Sequence, residues 1–149
     1  MITTLLLTFN VTFKVSCSDP QNMLMLPQTV LSLAVVSVKV INNTFRMDQV
    51  FVQKLMKADE DQVYHLIHYI LSYADAHIDK QECQDDVREL LHETLIFIGY
   101  YCLQNEEGQA MLQRGNNCIL QKLCNLPFIY FMDKRNREIL YPTLIIASY

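Results

Sequence analysis

Turn-forming residues are scarce in this chain. Its 149 residues include only 3 Gly and 4 Pro. A fold of many short strands needs such residues at every reversal, so the scarcity favours long helices. The glycines stand alone at 99, 108 and 115, which leaves no glycine-rich turn to cradle a phosphate. No G-x-S-x-G is present, and no cysteine sits in a catalytic signature. Charged residues make up 19% of the chain and the net charge is −4, too mild a balance for a large nucleic-acid footprint. No apolar run reaches the roughly 18 residues of a membrane span. Residues 30–41 come nearest, but the stretch is short and broken by Ser32, Ser37 and Lys39. What the chain does have is a 51% hydrophobic content, which excludes a disordered chain and suffices for one domain with a sizeable core.

The five cysteines, Cys17, Cys83, Cys102, Cys118 and Cys124, are odd in number and follow no compact disulfide framework. Buried free thiols in a reducing compartment are the simplest expectation. Metal spacing is also missing. His65 and His68 are neighbours on one helix face, and His77, Cys83 and His92 follow, but no second close pair completes a zinc site. His92-Glu93 opens like a metalloprotease helix, yet Ile96 stands where the second histidine belongs. Partly exposed helix histidines, no metal and no cofactor are therefore expected, and the paired Asp85 and Asp86 read as helix-start acids. Residues 1–17 lack the basic start of a signal peptide, and Asn10 and Lys14 interrupt their apolar run. The sequons at Asn10 and Asn42 matter only if those segments reach a lumen.

The apolar pattern predicts a series of helices after an irregular segment, residues 1–26, in which Ser18-Asp19-Pro20 marks a turn. Pro27 fits a first helical position, and Leu31, Ala34, Val35, Val38 and Ile41 follow at helical spacing, with Asn42-Asn43 as the stop. The β-branched content leaves a strand as the rival reading there. Asp48 caps a short helix that would turn Phe51, Val52, Leu55 and Met56 inward. Residues 59–74 place Val63, Leu66, Ile67, Ile70, Leu71 and Ala74 on one stripe, and a break is expected at 75–83. Residues 85–103 give the strongest helix, through Val87, Leu90, Leu91, Leu95, Ile98 and Cys102, and Gly99 within it suggests a close helix–helix approach.

Residues 105–131 are the most informative stretch. Asn105 fits a cap and Glu106 and Glu107 suit the positive helix end. Ala110, Met111 and Leu112 give an apolar face, Gly115 a left-handed stop, Ile119, Leu120 and Leu123 a second short helix, and Pro127 its end. A last helix, 135–148, would bury Ile139, Leu140, Leu144 and Ile145, with Pro142 kinking or stopping it. This is the syntax of a stacked helical repeat, so an all-α, armadillo/HEAT-like α-solenoid segment over residues 27–149 is expected. The apolar end at 144–149 has no polar cap, which reads as truncation of a longer array.

Ten acids crowd residues 58–93 against Lys80 and Arg88; solvated helix starts explain them, and a face for a basic partner is the sharper reading. Phe128, Tyr130 and Phe131 beside Lys134, Arg135 and Arg137, extended by Arg114 and Lys122, motivate an alternative function as an RNA- or ribosome-binding module. Packing between repeat helices is the plainer account of those aromatics.

Residues 105–124 resemble an armadillo-type repeat. The longer strings Leu90-Leu91-His92-Glu93-Thr94-Leu95-Ile96-Phe97-Ile98-Gly99-Tyr100, then 120–131, then 140–145 resemble the C-terminal region of the family of S-phase cyclin A-associated proteins of the endoplasmic reticulum. The close likeness covers about residues 87–149, with a looser one back to about 28. The resemblance implies a large non-enzymatic adaptor in the cytoplasm at the endoplasmic reticulum, with the nucleus as a further compartment. Its implied partners are the cyclin A–kinase complex and the ribosome and deadenylase machinery that decays tubulin messages. No small-molecule substrate is implied. The family's C2H2 zinc finger has no counterpart in this chain. Arg88-Glu89-Leu90 has the spacing of a cyclin-docking motif but falls within a predicted helix.

Overall fold

The computed structural model describes residues 25–78, 84–126 and 128–148. The described residues are all-α, with eight helices: α1 (Gln28–Met47), α2 (Gln49–Lys57), α3 (Glu60–His77), α4 (Gln84–Cys102), α5 (Glu106–Leu112), α6 (Ile119–Cys124), α7 (Phe128–Met132) and α8 (Lys134–Ser148). The irregular segment expected at 1–26 lies outside them up to residue 24, as do Pro127 and most of the expected 75–83 break. α4 is the axis of the stack. It packs against α1, α3 and α8, and more lightly against α2 and α5, while α8 also touches α5, α6 and α7.

α1 resolves the helix-or-strand question. Leu31, Ala34, Val35, Val38, Ile41 and Phe45 are buried at helical spacing, so tertiary burial against α4 overrides their β preference. Pro27 stands one residue before the helix, where its carbonyl accepts from the Val30 and Leu31 amides. Asn42-Asn43 is not the stop the sequence suggested. Asn42 is 2% exposed, and its amide donates to the Glu93 carbonyl (2.9 Å) and carboxylate (2.8 Å) on α4. With its side chain occupied elsewhere, Asn42 no longer competes for its own backbone, and the helix runs on to Met47. Buried in this way, Asn42 cannot present a glycan from the folded chain.

Asp48 caps α2 as expected, accepting from the Phe51 amide at 3.0 Å. Only Val52 and Met56 are buried there, however. Phe51 and Leu55 face out, because a two-turn helix meets α3 and α4 along one narrow side. α3 runs three residues past Ala74. Tyr69 stacks on Tyr73 at 6.2 Å and Tyr73 lies 4.5 Å from the His77 ring, so a buried aromatic ladder carries the helix on. Leu66 is half-buried rather than enclosed.

All six predicted apolar residues of α4 are buried. Gly99 does permit a close approach. A Cβ there would lie 3.1 Å from Thr143 Oγ1 on α8, and that hydroxyl is itself fixed by donating to the Leu95 carbonyl at 3.2 Å. The inward stripe of α8 is correspondingly small and shifted: Leu140, Thr143 and Ala147 are buried. Ile139 and Leu144 are half-buried and Ile145 is exposed, so the expected inward Ile145 is corrected. α8 continues through Pro142; the proline does not stop it. Asp133 Oδ1 accepts from the Arg135 amide at 2.8 Å and so starts the helix.

Asn105 caps α5 by accepting from the Gly108 amide at 3.2 Å. Met111 and Leu112 are buried while Ala110 is exposed. Gly115 adopts the left-handed backbone expected of it, φ 80°. In α6, Ile119 and Leu123 are buried and Leu120 is half-buried.

Four glutamines from outside the two helices close their ends. Gln53 Nε2 donates to the carbonyls of Tyr100 (2.9 Å), Tyr101 (3.1 Å) and Leu103 (2.9 Å), and Gln49 Nε2 to Leu103 (2.7 Å). Gln109 Nε2 bridges the Cys102 (3.2 Å) and Ile146 (3.0 Å) carbonyls, and Gln113 Nε2 reaches Ala147 (3.4 Å). These carbonyls lie at the ends of α4 and α8, where a helix leaves acceptors without intrahelical partners.

Candidate interaction surface

The chemistry-bearing side chains are mostly spent on the stack. Arg114 pairs with Glu60 (2.7 Å) and Asp61 (3.3 Å) at the start of α3. Lys122 is half-buried, donates to Ser72 Oγ at 2.8 Å, and has its pKa lowered by burial. Glu60 and Ser72 are separated by about 18 Å along α3 at helical rise. Lys134, Arg135 and Arg137 stand on α8. Lys134 lies 3.6 Å from Glu138 in an i, i+4 pair, and Arg135 bears on Glu89 and His92 of α4. Arg114 and Lys122 thus bond to the two ends of α3, Arg135 bears on α4, and Lys134 and Arg137 are exposed on α8. The aromatic part of that surface is also committed: Tyr130 is buried, its hydroxyl raised in pKa by desolvation, and Phe131 is half-buried.

Five of the ten acids in the 58–93 stretch are likewise used internally. Beyond Glu60 and Asp61, Glu89 pairs with Lys39 at 2.8 Å, Glu93 holds Asn42, and Asp86 accepts from Gln28 and Ser32. The Lys39 ammonium bonded to Glu89 holds that carboxyl below the usual range, and the lysine is raised in turn.

Two of the four histidines overturn the expectation of partial exposure. His77 and His92 are buried. Burial lowers the His92 pKa, and Arg135 lowers it further, while Glu89, Glu93 and Asn136 act the other way. His68, half-buried beside Lys122, is lowered too, again chiefly by burial. No group of three His, Cys, Asp or Glu side chains able to hold a metal occurs among the described residues. The expectation of uniformly buried thiols also fails: Cys102 is buried, and its thiol is pushed up to about 12 by that burial, but Cys118 is half-buried and Cys124 exposed. Arg88-Glu89-Leu90 lies inside α4 with Leu90 buried, so the folded chain does not present it as a docking peptide.

Two surfaces stand out among the described residues. One is a polar groove of about 710 Å3 lined by Gln104, Asn105, Glu106, Gln109, Ala110 and Gln113; two of its glutamines are the helix-closing ones. The other is apolar and was missed from sequence. Leu33, Val36 and Val40 on α1, then Met47, Val50 and Phe51 where α1 meets α2, are exposed. The signal for it was in the hydropathy. α1 is 20 residues long and holds an 18-residue window with a mean hydropathy of 1.2, enough by length and composition for a span, although 44% of that window is buried in the stack.

Over 67 residues the chain is 42% identical to S phase cyclin A-associated protein in the endoplasmic reticulum from Homo sapiens, a match covering 44% of this chain and 5% of that protein. The resemblance read from the sequence holds. No family model matches the chain, and no solved structure matches it.

Proposed function

We propose that this chain is a non-enzymatic interaction segment of an adaptor, stacked in the manner of an armadillo or HEAT array, that works at the cytoplasmic side of the endoplasmic reticulum. The observation that carries the reading is the similarity to a protein named for its association with cyclin A. The proposed partner is therefore the cyclin A–kinase complex, with the ribosome and deadenylase machinery as the wider setting. The all-helical stack is consistent with this role, since helical arrays work by offering faces to partners. The RNA reading gains nothing from the geometry: Arg114 and Lys122 are committed to α3 and Tyr130 is enclosed.

The test is direct binding of the purified full chain to purified cyclin A–kinase complex, followed by interferometry at low and high salt. Saturable binding, on the order of micromolar or tighter, is the expected result. A folded chain that leaves the complex unbound would remove cyclin A from the reading. Capture of purified ribosomes only at low salt would revive the RNA alternative.

A further inference from the structure

α1 has two apolar sides. Its buried side faces α4. Its other side carries Leu33, Val36, Val40 and Met47, with exposed Asn43 on the same line. At about 100° per residue, that line lies roughly opposite the buried side. Past the Asp48 cap, Val50 and Phe51 of α2 are exposed as well. Soluble surface helices are apolar on one stripe, and a helix apolar all round is normally covered all round. The spacing i, i+3, i+7, i+10, i+14 is that of a seam into which one opposing helix packs.

The rim of this seam is positive. Residues 25–58 hold four bases, Lys39, Arg46, Lys54 and Lys57, and one acid, Asp48. Lys39 is neutralised by Glu89 and Lys57 by Glu107. Asp48 is occupied by the α2 cap. Arg46 donates to the uncharged Tyr100 hydroxyl at 3.1 Å, and neither Arg46 nor exposed Lys54 has an ion pair among the described residues. Arg46 and Lys54 therefore flank Met47, Val50 and Phe51, and with the Asp48 carboxylate between them the rim stays net positive. An aromatic, a methionine and an arginine together have the composition of an interface core.

We propose that the outer face of α1 and α2 docks an amphipathic helix of a partner protein whose apolar stripe is flanked by Asp or Glu. This inference rests on the adaptor reading and gives it a face and a partner chemistry. A second copy of the chain fits less well. Antiparallel self-pairing sets Arg46 against Lys39 of the copy, and parallel pairing sets Lys39 against Thr44 and Arg46 against Phe51, so in neither does Arg46 meet an opposite charge. An anionic bilayer is the rival occupant of such a face, and the vesicle measurement below tells the two apart.

The test uses the full chain and a labelled three-heptad peptide with leucine on its seam and glutamate on its flanks, with a lysine-flanked twin as control. Fluorescence anisotropy should show the glutamate peptide binding at least about tenfold tighter than its twin. Phe51→Asp should weaken that binding by about tenfold or more, and Arg46→Ala with Lys54→Ala should flatten its salt dependence. Phe51 is exposed, so an unchanged thermal melt confirms that the variant folds. Equal binding of the two peptides overturns the proposal. So does a dimer lost on Phe51→Asp, binding to phosphatidylserine vesicles but to neither peptide, or a photo-cross-linker at position 36 that captures residues 1–24. The cyclin A–kinase complex is assayed on the same variants. If it binds regardless of Phe51→Asp while the peptide does not bind, the docking face alone falls. If neither binds, the adaptor reading falls with it.

Discussion

Leu31 and Leu33 stand two positions apart on α1. Leu31 is completely enclosed against α4, and Leu33 is 56% exposed. Their neighbours repeat the contrast: Val35 and Val38 are inside, Val36 and Val40 outside. The two sides of the helix are built from the same residue types, so hydropathy alone assigns neither. The inner side is fixed by what α4 presents to it, namely a carbonyl and carboxylate for Asn42 and an edge-on ring, Phe97, 5.7 Å from Phe45. The outer side meets no such partner among the described residues. Burial thus depends on a specific complement as much as on apolarity.

The largest test of this contrast is a pair of truncations. Leu31→Ala should cost about 2–5 kcal/mol, the range for emptying an enclosed leucine site. Leu33→Ala should stay within about 0.5 kcal/mol. Urea denaturation reads both, and equal losses would mean the outer face is covered within the chain. A smaller effect lies on the polar part of the inner side. Asn42→Ala removes the donor to Glu93 and should cost about 1–3 kcal/mol, whereas Asn43→Ala, on the exposed line, should be close to neutral.

The smallest effect is a pH dependence at the same seam. His92 lies on α4 among Glu89, Glu93, Arg135 and Asn136, and its folded pKa is below the ordinary imidazole value. The unfolded chain then binds the proton more readily, so stability is full above about pH 6.5 and declines as pH falls toward the folded pKa. Glu89, depressed by Lys39, adds a second loss at lower pH, as pH falls from the ordinary carboxylate value through its folded one. Urea midpoints from about pH 7 down to about pH 5 should fall in the native chain. They should fall less in His92→Gln, and equal slopes would remove His92 as the cause.

Local punctuation was legible in the sequence because local chemistry decides it. Asp48 and Asn105 cap helices through side chains that reach only three residues ahead, and Gly115 takes a backbone angle that few other residues accept. The apolar period of α4 was legible for a related reason: a central helix buries nearly its whole stripe. What escaped depends on distant partners. Asn42 looked like a stop because its partner lies 51 residues away. Phe51 and Ile145 looked inward because period alone does not say which half of a wide stripe a neighbour covers. The alternative basic face drew in Arg114 and Lys122 because Glu60, Asp61 and Ser72, which hold those two, are far off in sequence.

The glutamine closures at the ends of α4 and α8 bear on how the stack opens. A helix end usually frays alone, and its last amides exchange with solvent long before the core does. Here the final carbonyls of α4 are held by α2 and α5, and those of α8 by α5. Releasing either end therefore means lifting another helix. The amides of these terminal turns should exchange hydrogen together with the core amides of α4, as one cooperative unit rather than as loose ends.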